Sequence, residues 1–163
     1  MKCKRCKNQA VHDGSCRRCY LMVLEKRVRK DMRMNKIVSP RMKVRCKDKL
    51  SEILLRRIMK SPVSIVKHGA DLTLEKWTKD DEIHDALTRL FIGKEPNPGS
   101  RLSILRTLTD EEACKLADIL EVGWSPRKKK DDIRYLIDKM SESYGETRHS
   151  LYNAIEEMKM ALQ

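Results

Sequence analysis

The sequence predicts an α/β protein in which helix dominates, fronted by a small cysteine-rich module. Three observations predict it. Two Cys-x-x-Cys pairs stand nine residues apart near the start of the chain, as C-x2-C-x9-C-x2-C over Cys3, Cys6, Cys16 and Cys19. Short β-branched stretches, "KVRC" at 43–46 and "VSIV" at 63–66, are few and brief. Between and after them run longer segments whose apolar residues recur every three or four positions. Strands that alternate with helices belong to layered α/β folds. A length of 163 residues suits one compact domain, or a small domain with an appendage. The expected division is a cysteine module with a basic helix at 1–38 and an α/β part at 39–163.

The elements follow in order. The Cys-x-x-Cys turns come first: each points two thiolates into one hemisphere, and two of them complete a tetrahedral shell for zinc, with Zn–S of about 2.3 Å. Gly14 precedes the second pair, where a knuckle asks for positive φ. Lys2, Lys4, Arg5, Lys7, Arg17 and Arg18 surround the ligands; nearby cations favour thiolate and offset a doubly negative four-thiolate site. A pair of disulfides does not suit a cytosolic chain, and no strand precedes Cys3 to make a thioredoxin-like redox pair. An iron–sulfur cluster is a further use of four cysteines, but the knuckle spacing favours zinc. One structural zinc is expected, with no open position for chemistry. His12 reads as a solvated loop residue, and Cys46 and Cys114 as small buried hydrophobes.

From Tyr20 the pattern is helical, with Leu21, Leu24, Val28 and Met32 on one stripe and Lys26, Arg27, Arg29, Lys30 and Arg33 opposite. Ser39-Pro40 ends it. "KVRC" reads as a strand. "KDKLSEILLRRIMK" reads as a helix with Leu50, Ile53, Leu54 and Ile58 on one side, stopped by Pro62. "VSIV" reads as a buried strand and "HGADLTLEKW" as a loop. "KDDEIHDALTRLFIG" is the clearest helix, with Asp80 or Asp81 near its start and Gly93 as its C-cap. "KEPNPGS" is a linker and "RLSILRT" a strand. Thr109-Asp-Glu-Glu is a capping box that opens a helix to about Val122. Gly123-Trp124-Ser125-Pro126 breaks it. Two more helices carry Ile133, Leu136, Ile137 and Met140, then Leu151, Ile155 and Met158.

Charge narrows the function. The chain carries a net +12, yet residues 1–49 hold 17 Lys and Arg against 4 Asp and Glu, while the rest hold 19 against 20. A lysine-rich proteome would not stop at residue 49; localised positive charge marks a binder of polyanions. The cations expected on phosphate are Arg17, Arg18, Lys26, Arg27, Arg29, Lys30, Arg33, Arg41 and Lys43. The bland alternative for the helix is an ordinary amphipathic segment with a wet face. No run approaches the roughly 18 apolar residues of a membrane span, so no membrane partner and a cytoplasmic location are expected.

With the elements placed, the chain resembles the tRNA wobble-uridine thiolation branch of the PP-loop superfamily, which holds the TtuA-type enzymes and both subunits of the cytosolic tRNA thiolation complex. "CRRCYLMVLEKRVRKDM" is similar to that family's paired cysteines and basic helix, "KVRCKDKLSEILL" to its first strand and phosphate loop, and "KDDEIHDALTRLFIG" to its acidic helix. "SRLSILRTLTDEEACKLADIL" and "YGETRHSLYNAIEE" resemble its later segments, all in family order. The resemblance implies a reduced, degenerate PP-loop (Rossmann-like) core with few short strands behind a zinc knuckle. The departures from the pattern carry the function. Of the glycine loop only the flanks remain, with Lys47 and Asp48 standing for a degenerate nucleotide loop, and a phosphate cradle needs glycine and free backbone N–H groups. The family's middle cysteines and a second zinc set are absent, and the chain is shorter than the enzymes, which implies missing strands.

The resemblance therefore implies a non-catalytic accessory subunit, binding no ATP, that holds tRNA and docks as a heterodimer on a catalytic PP-loop thiolase. Asp80, Asp81 and Glu82 would be relics of catalysis or, more simply, helix N-terminal acids. His68 and His84 read as surface or satisfied histidines; Trp77 and Trp124 serve an interface or the core equally well. The runner-up is a stand-alone zinc-dependent nucleic-acid-binding protein, such as a transcription or ribosome factor. A surviving thiolase using Cys46 or Cys114 ranks below both, because neither cysteine has a visible base partner.

Overall fold

A computed structural model gives the fold, describing residues 2–59, 63–97 and 101–162. In chain order it contains α1 (Arg17–Met34), β1 (Lys43–Cys46), α2 (Lys49–Ile58), β2 (Ser64–Ile65), β3 (Leu72–Leu74), α3 (Lys79–Phe91), α4 (Asp110–Ile119), α5 (Asp131–Ser143) and α6 (Thr147–Ala161). The architecture is the expected helix-dominated α/β one, with a small parallel sheet.

The sheet is ordered β2-β1-β3, with Val44 of β1 opposite Ile65 on one side and Leu72 on the other. β1 is central because Val44 is fully buried and every neighbour in the sheet reads off it. β2 and β3 lie on opposite sides of β1, yet only residues 66–71 link them, too few for a crossover helix. Gly69, at φ 64°, turns this link. The C-terminal ends of β1 and β3 lie side by side in this parallel register, Cys46 beside Leu74.

Two apolar clusters hold the helices. The first joins Leu24, Val28 and Met32 of α1 to Val44, to Leu50, Leu54 and Leu55 of α2, to Ile104, Leu105 and Leu108, and to Leu116 of α4. Fully burying each of these side chains is worth about 1.5–3 kcal/mol, so Leu54→Ala would cost about 2–5 kcal/mol. The second cluster is smaller: Ile83 and Ala86 of α3, Ile133 and Ile137 of α5, and Ile155 of α6.

Several boundaries differ from the sequence reading, each for a local reason. α1 begins at Arg17, before Tyr20, because Cys16 is its N-cap and its sulfur accepts from the Cys19 N–H at 3.5 Å. It ends at Met34, ahead of Ser39-Pro40, in a Schellman turn: the Ile37 N–H donates to Met32 O and Lys36 takes the left-handed position at φ 48°. "HGADLTLEKW" contains β3, because an isolated three-residue strand carries too little alternation to be read. "RLSILRT" is not a strand. Ser103 donates to Trp77 O and accepts from the Leu105 N–H, which curls the segment and drives Ile104, Leu105 and Leu108 into the core. α3 is capped by Thr78, one turn ahead of Asp81, which completes a capping box from the third position. Thr109 and Glu112 form the expected box on α4, and Gly93 follows α3 in the left-handed region. Pro62 lies outside the described residues.

Candidate functional site

The cysteine cluster is assembled by two short turns. The Cys3 N–H donates to Asn8 O and the Lys4 N–H to Gly14 O, folding the first knuckle against the second. Gly14 has φ 74°, a conformation that favours glycine, while a Cβ there would meet only the flexible end of the Lys4 side chain, at 2.8 Å. The four sulfur atoms lie within 4.8 Å of one another and could hold a metal ion. Cys3 accepts from the Arg5 N–H, and backbone hydrogen bonding from Arg5 and Cys16 draws its thiol down to about 6. Cys19, crowded by the sulfurs of Cys16 and Cys6, is pushed up to about 12. Four thiols this close cannot all ionise without a cation among them. Asp13 pairs with Lys115 at 3.1 Å and Arg17 donates to Asp118 O at 3.2 Å, which docks the knuckle on α4.

The cations expected on phosphate divide. Arg18, Lys26, Lys30 and Arg33 are exposed on the outer face of α1, with Arg29 half-buried among them. Arg27 is turned away from that face: its guanidinium holds Glu112 of α4 at 2.7 Å. Arg41 and Lys43 are exposed just before and at the start of β1. Their side chains stand apart from the cysteine cluster, which meets α1 at the opposite end.

The segment after β1 was read as a degenerate nucleotide loop. Lys47 pairs with Glu75 at 2.7 Å, across the polar edge of the sheet. Asp48 is the N-cap of α2, accepting from the Ser51 N–H at 2.9 Å and from the Ser51 hydroxyl at 2.7 Å. Between Cys46 and Leu50 there is no glycine.

Asp80, Asp81 and Glu82 open α3 and all three are buried. Asp81 accepts from the Thr78 N–H and pairs with Lys129 at 2.8 Å, which also holds Asp110 at 2.6 Å. Asp80 accepts from the Asp110 N–H and faces Arg148 at 3.2 Å; its burial raises its carboxyl above the usual range. Glu82 accepts from Trp77 Nε1 and pairs with the buried Lys159 of α6. Each acid is thus committed to an internal partner. A cavity of about 530 Å³ opens beside them, lined by Asp80, Asp110, Cys114, Arg127, Lys129 and Arg148. The partners Lys129, Arg148 and Lys159 leave no trace in the sequence, because they stand 48, 68 and 77 positions from Asp81, Asp80 and Glu82 and such pairs follow no local period.

The remaining residues settle simply. Trp77 is buried, with Arg101 and Arg127 stacked on its ring at 4.3 and 4.5 Å, so it serves the core. Trp124 packs half-buried against the first cluster. His84 accepts from the Lys130 N–H, and His68 is exposed. Cys46 is half-buried, and burial pushes its thiol up to about 11; burial raises Cys114 as well. Neither is activated as a nucleophile. No helix among the described residues is long and apolar enough to cross a membrane.

A small parallel sheet, a basic first helix launched from paired cysteine knuckles and an acidic third helix make up a helix-dominated α/β fold. In fold the chain is similar to the U34-tRNA thiolase NcsA from Methanococcus maripaludis, solved with its [4Fe-4S] cluster. The TM-score is 0.75 at 15% identity, spanning 98% of this chain and 88% of that one. No family model matches the sequence, and no curated protein matches it.

Proposed function

We propose that the chain is a non-catalytic accessory subunit for tRNA 2-thiolation, which binds tRNA and docks on a catalytic PP-loop thiolase. The observation that carries this reading is the occupied N-terminus of α2. In a PP-loop that helix end and the glycines before it offer backbone N–H groups to phosphate. Here the Asp48 carboxylate takes the Ser51 N–H, Lys47 is neutralised by Glu75, and no glycine supplies a concave loop. Without glycine before α2 the backbone offers no cradle of N–H groups to a nucleotide's phosphates. The acids of α3, tied to Lys129, Arg148 and Lys159, support the same reading: they hold helices together.

The cysteine cluster is best assigned to one structural zinc. A tetrahedron with Zn–S of about 2.3 Å has sulfur–sulfur edges of about 3.8 Å, and Cys6 lies 3.5 Å from Cys16 and 3.7 Å from Cys19. The four thiolates of a [4Fe-4S] cubane each take a different iron and stand on the outside of the cluster, a wider spacing than this one. In this reading residues 1–38 hold RNA in the cytoplasm, and residues 39–163 meet the partner. The exposed side chains of Phe91, Ile92 and Tyr135 on α3 and α5 support a docking face.

Nucleoside analysis of tRNA from a deletion strain tests the proposal: 2-thiouridine should fall, and affinity purification of the intact chain should recover a PP-loop thiolase. Equilibrium dialysis should find no saturable ATP binding. Unchanged 2-thiouridine, together with tight duplex-DNA binding and no protein partner, would select the stand-alone nucleic-acid-binding protein in its place.

A further inference from the structure

A groove of about 880 Å³ runs along the outer side of α1, away from the cysteine cluster and the acidic helix. Its apolar surface comes from Met22 of α1, Val38 of the following loop and Met59 after α2. Its rim is cationic, with Lys26 and Arg33 from α1 and Lys36 from the turn behind it. Among the described residues none of these three has a carboxylate within ion-pair distance, and the lining acid, Glu25, is already held by Arg57 at 2.7 Å. Arg29 reaches into the same space, and its buried Nε has no hydrogen-bond partner. Lys36 keeps a long cationic side chain at φ 48°, a position that glycine fills without strain. Met22 is 58% exposed in this groove.

We infer that this groove takes an unpaired nucleotide of the RNA, its base laid on Met22, Val38 and Met59 and its phosphates on Lys26, Arg33 and Lys36. The inference rests on the RNA-binding reading above and says which part of the RNA is held. A duplex keeps its base faces stacked inside and would leave the apolar floor unused. An unpaired nucleotide offers an apolar face and an anion side by side, and the groove offers their complements in the same arrangement. The volume falls in the range of small-molecule pockets, too narrow for a double helix to enter. Two forked guanidinium groups, Arg29 and Arg33, match phosphate oxygens better than the scattered single carboxylates of a peptide.

Fluorescence anisotropy on the full chain tests this with two probes of about twelve nucleotides, one single-stranded RNA and one blunt RNA duplex. In Met22→Gln with Val38→Thr, affinity for the single strand should fall about tenfold while duplex affinity stays within about twofold; the duplex thereby reports that the variant is folded. Lys26→Ala with Arg33→Ala should weaken both. Equal loss on the two probes, or no loss on the single strand, overturns the groove assignment and leaves RNA binding intact. Tighter binding of a poly-glutamate peptide than of the single strand also overturns it, in favour of a protein ligand. Failure of the unmodified chain to bind either RNA removes the RNA-binding reading itself.

Discussion

Lys36 occupies the position after α1 where the chain must turn left-handed, and the Ile37 N–H closes that turn on Met32 O at 3.1 Å. The left-handed region costs an L-residue roughly 1–2 kcal/mol relative to glycine, partly offset by glycine's larger freedom when unfolded. Lys36→Gly should therefore raise stability by about 0.5–1 kcal/mol in urea unfolding, while lowering RNA affinity; a destabilised variant would mean the turn does not carry this strain. His84 makes a second prediction. Burial, then the charge of Lys129, depress its pKa below the usual imidazole value near 6.5, and its Nε2 accepts the Lys130 N–H at the start of α5. The folded state thus binds this proton less readily than the unfolded chain. Stability is intact above about pH 6.5 and is lost as pH falls toward the depressed value. Thermal melts from pH 7.5 to 5 should show that decline, and His84→Gln should flatten it; identical pH profiles would refute the assignment.

At the scale of elements, Cys16 has two roles: it is the N-cap of α1 and one of the four clustered thiols. A metal that fixes Cys16 therefore also fixes the first turn of the basic helix, and the Asp13–Lys115 and Arg17–Asp118 contacts carry that order to α4. Metal removal should act locally. After chelation, hydrogen exchange at amides 17–21 should accelerate by an order of magnitude or more, while α3, α5 and α6, which share the separate second cluster, keep their protection. Uniform loss of protection would mean that the metal supports the whole fold. The capping boxes on α3 and α4 show how far element ends are legible. Thr109-x-x-Glu112 is a recognisable capping pattern; Thr78-x-x-Asp81 has the same geometry with the shorter acid, and the helix it opens begins at Lys79, where the predicted segment begins.

For the whole molecule, the first and larger cluster binds α1, the sheet, α2 and α4, and the second binds α3, α5 and α6. The second cluster is small, and ions reinforce it: Lys159 of α6 is 3% exposed and reaches Glu82 at the start of α3. Removing one member leaves the other charge buried alone. Lys159→Ala should cost about 3–5 kcal/mol; replacing both, with Glu82→Gln and Lys159→Met, should recover most of it. Equal losses in the single and double variants would show that the side-chain volume matters and the pairing does not.

The sequence by itself determined the cysteine clip, the basic face of α1, the order and type of most elements and the absence of glycine between β1 and α2. All of these are local: they depend on spacing within a turn, on a 3.6-residue period or on the identity of a few neighbours. Only the tertiary structure decided that Arg27 turns to Glu112, that 101–107 packs as a curl and not a strand, and that β3, six residues after β2, pairs with β1. It alone matched Asp80, Asp81 and Glu82 with Arg148, Lys129 and Lys159, and brought Met22, Val38 and Met59 to one groove. Those arrangements join residues far apart in the chain. Their partners are selected by burial and charge in three dimensions, which no local period records.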